Sequence, residues 1–197
     1  MDPTSRMVEE PIPKEVDDLI SVARQSVDQV IGVKPDLTPE TLPLVDQYLR
    51  EIDPDMREEV LDLILTAVGC YFGEVVRRKL HGRWVVKEDG PCSWRIELIN
   101  CFLHFRPVGM AGEVYFRGEN DLYDGSFATL DELRDSLAEI LAEASPLTED
   151  EYYSLSCRVD VLQLAADWLV GRSLAKGKKP RSYSSMDYSV RLDFDEP

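Results

Sequence analysis

The chain has 197 residues, a formal net charge of −16, and a composition of 44% hydrophobic and 30% charged residues. This length can bury one sizeable core, and the composition is typical of a globular protein. The excess of acids argues against a general affinity for nucleic acid or for an anionic membrane surface, because both require clustered lysine and arginine. It favours a basic partner, or high solubility alone.

Residues 1–12 are polar and rich in proline, and we expect them to be disordered. They contain no apolar segment of the kind found in a signal peptide, and no apolar run in the chain approaches the roughly 20 residues of a membrane helix. The four cysteines form no Cys-x-x-Cys pair, so the simplest interpretation is a reducing, cytoplasmic setting. A bridge between Cys92 and Cys101 across a hairpin remains open.

Residues 13–176 are expected to form a single α+β domain, which begins with two helices. Apolar residues recur at helical spacing over residues 16–31, and a shorter helix is expected at about residues 41–52. The longest helix is predicted at residues 54–80. It is the element around which we expect the rest of the chain to be organised.

Several features of this long helix can be read from its sequence. Asp53 is its predicted N-cap and Gly82 its predicted left-handed cap at the other end. No residue from 63 to 73 is charged, so the middle of the helix should be buried nearly all round. Gly69 and Gly73 each cost about 1 kcal/mol relative to alanine in a helix, which predicts that another element packs closely against them.

After Gly82 the spacing of the apolar residues changes from 3.6 to 2, which is typical of strands. The three runs with this spacing are residues 83–88, 93–99 and 101–106. We expect an antiparallel β-meander, because no helix intervenes to allow a parallel crossover. Alternatively the last two runs, which only Asn100 separates, form one bulged strand. A further strand is expected at residues 114–117, and a turn at residues 109–112.

Two capping boxes predict two further helices. Thr129 with Glu132 opens the first, and Thr148 with Glu151 opens the second. The order of helices, then strands, then helices is typical of an α+β fold. We expect an antiparallel β-meander that packs against the long central helix and flanking helices.

The end of the chain has a different pattern. Residues 177–185 are interpreted as a flexible linker. In residues 186–197 apolar and polar residues alternate, which predicts a strand-like segment that pairs with its own sheet or with the edge of another chain's sheet. We favour its own sheet, whereas pairing in trans would make a homo-oligomer.

Glu74 and His104 are the candidates for an enzymatic pocket. Glu74 follows the uncharged part of the long helix and either acts as a base or forms an ordinary ion pair with Arg78, which we favour. His104 is a candidate base on a strand. The sequence contains no metal-ligand spacing, phosphate-binding loop or nucleophile motif, so we expect no metal and no cofactor.

Acids beside aromatic residues are the candidates for contact with a partner. The densest acidic cluster precedes two adjacent tyrosines, of which one should be exposed. The predicted partner-binding residues are Glu149, Asp150, Glu151, Tyr152 and Tyr153, together with Tyr188, Val190 and Leu192 of the terminal segment. Acids at the start of a helix also satisfy the helix dipole, so a purely structural role remains open for them.

One stretch of the sequence resembles a family pattern. Residues 69–78, with the sequence GCYFGEVVRR, are followed by Gly82-Arg83-Trp84. This is similar to small bacterial α+β domains in which a glycine-bearing helix leads through Gly-x-Trp into a β-meander. The resemblance covers roughly residues 55–106 and implies an α+β fold and a bacterial source, but no activity. In size and charge the chain also resembles bacterial immunity proteins, which neutralise a toxin by plugging its site.

These observations leave three hypotheses about function. The first is a non-enzymatic, acidic protein-binding domain that acts on a basic protein partner, in the manner of an immunity or inhibitor protein. The second is a small hydrolase or transferase that uses Glu74 and His104 in one cleft. The third is an assembly subunit that docks through its C-terminal strand.

Overall fold

A computed structural model describes residues 11–118, 120–144, 148–177 and 181–192. The helices in these residues are α1 (Lys14–Ile31), α2 (Leu42–Arg50), α3 (Glu58–Leu80), α4 (Pro107–Phe116), α5 (Asp131–Glu143), α6 (Glu149–Tyr152), α7 (Leu155–Ala175) and α8 (Ser185–Leu192). The strands are β1 (Gly82–Val85), β2 (Arg95–Leu98), β3 (Leu103–Phe105) and β4 (Phe127–Thr129). They form an antiparallel sheet in the order β1-β2-β3-β4, so the predicted α+β fold with a β-meander is confirmed. Of the N-terminal segment expected to be disordered, residues 1–10 lie outside the described part.

The central helix α3 packs against α1, α4 and the sheet, and residues 65–77 are buried on every side. The burial predicted for the uncharged stretch 63–73 therefore holds from residue 65 onward, whereas Leu63 is exposed. A Cβ on Gly69 would lie 2.5 Å from the Cα of Val108 at the start of α4. A Cβ on Gly73 would lie 2.5 Å from Cη2 of Trp84 in β1. The close packing predicted for both glycines is therefore confirmed, because neither position has room for a side chain.

The sheet has one apolar face and one charged face. Residues that are in register across the strands share a face. The apolar face, toward α3, carries Trp84, Ile96 and Phe105. The opposite face, which we call the outer face, carries Arg83, Glu97 and His104. On the apolar face the ring of Phe105 contacts Phe72 of α3, with centroids 6.1 Å apart. On the outer face the buried carboxylate of Glu97 accepts hydrogen bonds from Arg83 and Arg95. The core therefore lies between α3 and the apolar face.

The ends of α3 differ from the prediction. The helix begins at Glu58 rather than at residue 54, because the carboxylate of Asp53 accepts a backbone N–H within a separate turn. At the other end His81 adopts the left-handed conformation, with φ 57°, and Gly82 is already the first residue of β1. The left-handed residue that ends α3 is therefore His81, one position before the predicted cap Gly82.

Helix α4 replaces two predicted features, so the strand expected at residues 114–117 and the turn expected at residues 109–112 are both wrong. Seven of its ten residues are buried. A short segment that is apolar on all sides has no periodicity that separates a buried helix from a strand. The proline at its first position, Pro107, is the local feature that favours a helix.

Only one of the two predicted capping boxes forms. Thr148 and Glu151 make reciprocal hydrogen bonds and cap α6, but this helix ends after a single turn and α7 begins separately. The hydroxyl of Thr129 instead donates to the carbonyl of Phe102 at 2.7 Å. Helix α5 follows Leu130 and has no side-chain cap. The long-range bond of Thr129 has replaced the local one.

The C-terminal segment is a helix, α8, so the strand predicted for residues 186–197 is wrong as far as the structure describes it. Residues 193–197 lie outside that part of the chain. The side chain of Asp187 accepts the N–H of Ser184 at 2.8 Å, and the hydroxyl of Ser184 accepts the N–H of Asp187 at 3.2 Å. This reciprocal pair caps α8, and a local capping box has overridden the alternating pattern.

The segment before α8 is attached to the outer face of the sheet. Of the linker expected at residues 177–185, residues 178–180 lie outside the described part. The backbone N–H of Tyr183 donates to the carbonyl of Ile99 at 2.8 Å, and the carbonyl of Tyr183 accepts from Arg83 at 2.8 Å. The C-terminal segment thus packs on the sheet of its own chain, but as a helix on a face and not as an added strand.

Candidate functional site

Most of the residues predicted to bind a partner lie on or just after α6, a single helical turn at the surface. The side chains of Glu149 and Asp150 are 74% and 77% exposed. Tyr152 is exposed and Tyr153 half-buried, and their rings meet edge to face with centroids 4.9 Å apart. We call residues 149–153 the acidic ridge. The structure brings these predicted residues together on one exposed surface.

Two arginines from other elements contact the tyrosines of the ridge. The guanidinium of Arg158 in α7 lies 4.5 Å from the ring centroid of Tyr152. That of Arg117, just after α4, lies 5.7 Å from the ring centroid of Tyr153. Arg117 also donates to Asp150 at 2.7 Å, and this hydrogen bond raises the pKa of the arginine. Helices α4 and α7 therefore hold the ridge in place through cation–π contacts and an ion pair.

Two clefts lie beside the ridge, one lined by Tyr152 and the other by Tyr153. The Tyr152 cleft has a volume of about 700 Å³, and the charged residues described in its lining are Glu113, Asp121, Asp124 and Arg158. The Tyr153 cleft has a volume of about 450 Å³, and the charged residues described in its lining are Asp46, Arg50 and Arg117. Carboxylates outnumber guanidinium groups in the first cleft, and the reverse holds in the second. The Tyr152 cleft therefore has the more acidic lining, whereas Arg117 of the Tyr153 cleft is already paired with Asp150 and Glu149.

Glu74, predicted as a pocket residue, lies fully buried where α3 meets the sheet. Its carboxylate accepts hydrogen bonds from Arg77 at 2.8 and 2.9 Å, from Arg78 at 2.6 Å and from the indole N–H of Trp84 at 3.1 Å. Burial by itself raises the pKa of this carboxyl, but the three donor side chains together hold it below its usual value. The ion pair expected with Arg78 is confirmed. Arg77 and Trp84 donate to the same carboxylate.

His104 lies on the outer face, on the other side of the sheet from Glu74. It alternates along β3 with Phe105, which faces α3, and its ring contacts those of Phe102 and Tyr188. Burial lowers the pKa of His104 to about 4, and two nearby guanidinium groups act in the same direction. Because the sheet lies between them, the structure does not bring Glu74 and His104 into one cleft.

Tyr188, predicted to contact a partner, is fully buried instead. Its hydroxyl accepts the N–H of Leu103 at 3.0 Å and lies 2.8 to 3.0 Å from three carbonyl oxygens of the β2–β3 connection. Its ring stacks on Phe102 with centroids 4.3 Å apart. Val190 is exposed and Leu192 is half-buried. This corrects the prediction for Tyr188, which attaches α8 to the sheet and offers no surface to a partner.

The cysteines are all free, including Cys92 and Cys101, for which a bridge had remained open. Burial raises the pKa of Cys101 to about 12, and that of Cys70 likewise, so neither thiol is ionised near neutral pH. In the described ranges, His, Cys, Asp and Glu side chains form no group of three or more that could hold a metal ion. A helix long and apolar enough to cross a membrane is likewise absent from those ranges.

Comparison of the chain with protein-family models, with curated proteins and with solved structures gives no match. The residues that shape the site are therefore identified from geometry alone. Arg117, Arg158 and Glu113 were not among the predicted site residues, although they anchor the ridge or line its clefts. Arg117 is 33 residues from its ridge partner Asp150 and Glu113 lines the cleft from α4, so no local sequence signal indicates either. Arg158 lies only six residues after Tyr152, but its position in the sequence does not by itself indicate that it stacks on that ring.

Proposed function

We propose that this protein is a non-enzymatic, acidic protein-binding domain that uses the acidic ridge against a basic protein partner. The observation that carries this proposal is the exposure of Glu149 and Asp150 next to two tyrosines. Tyrosine is enriched at protein interfaces because its ring is apolar while its hydroxyl can bond to polar groups. Exposed carboxylates beside it attract a basic surface and speed its association.

The buried acids support the same assignment by contrast. Glu74 and Glu97 are surrounded by arginine donors, and Asp46 accepts the backbone N–H groups of Leu155 and Ser156 at the start of α7. These carboxylates are already bonded inside the protein. The charge that a partner can meet is therefore the charge of exposed acids such as those on the ridge.

The two alternatives have weaker support. An enzyme that uses Glu74 and His104 needs both side chains in one cleft, and the sheet separates them. An assembly subunit that adds a C-terminal strand to a neighbouring sheet needs that segment as a strand, and residues 185–192 are helical.

We also propose a cytoplasmic location, which the free cysteines support. We propose a bacterial source as well, for which the resemblance at residues 69–84 is the argument.

The proposal can be tested by co-purification from the host organism, followed by association kinetics. We expect a stoichiometric basic protein to co-purify with the wild-type chain. Its association rate should fall between 0.1 and 1 M salt, as the Debye length falls from about 10 to about 3 Å. The double variant Glu149→Lys/Asp150→Lys should associate much more slowly at low salt.

A matched control is available on α5. Glu132 and Asp135 are also exposed acids near the start of a helix, so Glu132→Lys/Asp135→Lys makes the same change in net charge elsewhere. If both double variants slow association equally, the overall charge and not the ridge recognises the partner. If neither changes the rate, the ridge acids serve only to stabilise α6.

A further inference from the structure

The Tyr152 cleft contains a buried guanidinium with unused donors. The side chain of Arg158 is 9% exposed and lies 3.1 Å, through Nη2, from Oε2 of Glu113. The geometry of this ion pair does not make a hydrogen bond, and neither Nε nor Nη2 of Arg158 has an acceptor among the described residues. Buried donors in proteins are nearly always satisfied. A ligand that supplies a hydrogen-bond acceptor would satisfy the unpaired N–H donors of this arginine.

The other charged residues that line the Tyr152 cleft are acids, which favour a different kind of ligand group from the acceptor that Arg158 needs. Asp121 and Asp124 line the cleft and are exposed, and Asp124 already accepts from Arg106 and from the N–H of Ser126. With Glu113 they make the lining acidic, which disfavours a phosphate or a free carboxylate ligand in spite of the arginine. The lining instead favours a ligand with a positive charge.

We propose that the Tyr152 cleft binds a lysine or arginine side chain of the protein partner together with the backbone carbonyl beside it. The cation lies against Asp121 and Asp124, and the carbonyl accepts from the guanidinium of Arg158. This rests on the proposed function in one respect, namely that the partner is a basic protein. A basic residue within a peptide is a simple ligand that carries both the positive charge and the acceptor.

Access to Arg158 requires a movement of Tyr152. The aromatic ring lies over the guanidinium and is itself 44% exposed, so it can turn away without opening the core. The cleft volume of about 700 Å³ lies within the range of about 300–1,000 Å³ that is usual for ligand pockets. The carboxylate in the lining of the Tyr153 cleft, Asp46, is buried and already accepts from Leu155 and Ser156, so that cleft offers a cation less than the Tyr152 cleft does.

The test uses the full chain and blocked tripeptides, acetyl-Gly-Lys-Gly-amide and the same peptide with norleucine in place of lysine. Norleucine keeps the carbonyl and the chain length but removes the charge. In an NMR titration we expect the lysine peptide, and not the norleucine peptide, to shift the ring signals of Tyr152 and the Nε–H signal of Arg158. Asp121→Asn, at an exposed position, should weaken this binding about fivefold or more, while Arg50→Gln in the other cleft should leave it unchanged.

Three results would overturn the inference: no shift of these signals at tens of millimolar peptide, equal shifts with norleucine, or unchanged binding by Asp121→Asn. None of them bears on the ridge itself. If the partner's association still depends on Glu149 and Asp150, the proposed function stands and only the cleft assignment fails. If the lysine peptide binds the cleft but the partner ignores the ridge, the proposed function fails instead.

Discussion

Glu74 on α3 and the acids of the ridge both lie beside aromatic rings and arginines, yet they differ in burial and in bonding. Glu74 has no exposed surface and accepts from Arg77, Arg78 and Trp84. Glu149 and Asp150 are about three-quarters exposed, and Arg117 is their partner in ion pairs. In this acidic chain the amount of charge is therefore a poor guide to function. The informative property is which carboxylates remain exposed to a partner, as Glu149 and Asp150 do and Glu74 does not.

The largest effect is expected in the interior, at Gly73. A Cβ there would already lie 2.5 Å from Trp84 and 2.8 Å from Pro107. Gly73→Leu should therefore lower the free energy of unfolding by about 3 kcal/mol or more, since it overpacks a close-packed core. Thermal or denaturant unfolding measures this directly.

Gly171 in α7 provides the matched control. A Cβ added at that position would meet nothing within 4 Å. Gly171→Ala should stabilise the protein by up to about 1 kcal/mol, because alanine is the better helix former. An unfolding curve for Gly73→Leu that coincides with that of the wild type would contradict the close packing of α3 against the sheet.

The second prediction concerns the carboxylate of Glu74. Glu74→Gln removes the buried negative charge to which Arg77, Arg78 and Trp84 donate, which should cost about 3 kcal/mol at pH 7. Because the pKa of Glu74 is lowered in the folded state, its stabilising contribution is present above the usual value of 4.5 and is lost as the pH falls through the folded value. The difference between the variant and the wild type should therefore shrink below pH 4.5.

The exposed acid Glu59 near the start of the same helix serves as the control. Glu59→Gln should change stability far less than Glu74→Gln. Equal effects of the two substitutions at pH 7 would mean that the interior network contributes no more than a surface acid. That result would remove the distinction between buried and exposed carboxylates.

The third prediction concerns the outer face, where burial holds the pKa of His104 at about 4, below its usual 6.5. Between these two values the unfolded chain binds a proton that the folded chain does not. The wild type should therefore lose stability as the pH falls from 6.5 toward 4, by about 2 kcal/mol at pH 5 from this residue alone. His104→Gln should remove that part of the loss, and His81→Gln, at an exposed position, should not. Parallel stability curves for the wild type and His104→Gln would contradict the burial of this histidine.

The fourth prediction concerns the attachment of α8. Tyr188→Phe removes a buried hydroxyl that accepts from the N–H of Leu103 and donates to a carbonyl oxygen of the sheet. The change should cost about 1 kcal/mol, since that N–H keeps the carbonyl of Cys101 as an acceptor. Hydrogen exchange should become faster at residues 181–192 in this variant. Tyr183→Phe is the control, because Tyr183 is bonded to the sheet through its backbone. Unchanged exchange in Tyr188→Phe would mean that ring stacking alone holds α8 on the sheet.

The sequence was informative where local pattern and tertiary packing agree. The uncharged middle of α3, with Gly69 and Gly73, predicted its burial and its close contacts. Alternating residues after Gly82 predicted the meander, because strands that are apolar on one face have a period of 2. The acidic ridge was predicted as a cluster because its residues are adjacent in the sequence.

The sequence misled where two patterns competed. Residues 186–192 alternate like a strand, but Ser184 and Asp187 have the spacing of a capping box, and the helix forms. The Ser-x-x-Asp spacing is therefore the local feature that indicates the helix. The clefts beside the ridge could not be predicted, since most of their lining, such as Asp121 in one and Arg50 in the other, comes from distant parts of the chain. Nothing in the residues next to them in the sequence indicates that they line a cleft.

The smallest effect on stability is expected at the ridge itself. Glu149→Lys/Asp150→Lys removes exposed ion pairs with Arg117 and acids at a helix start, and both kinds of contact contribute little at the surface. The melting temperature should fall by no more than about 3 °C, since 1 kcal/mol corresponds to about 2–4 °C for a chain of this size. Differential scanning calorimetry in parallel with Glu132→Lys/Asp135→Lys measures the difference. A fall as large as that of Glu74→Gln would show that these acids stabilise the fold, so that a loss of binding by the same variant could no longer be assigned to the ridge.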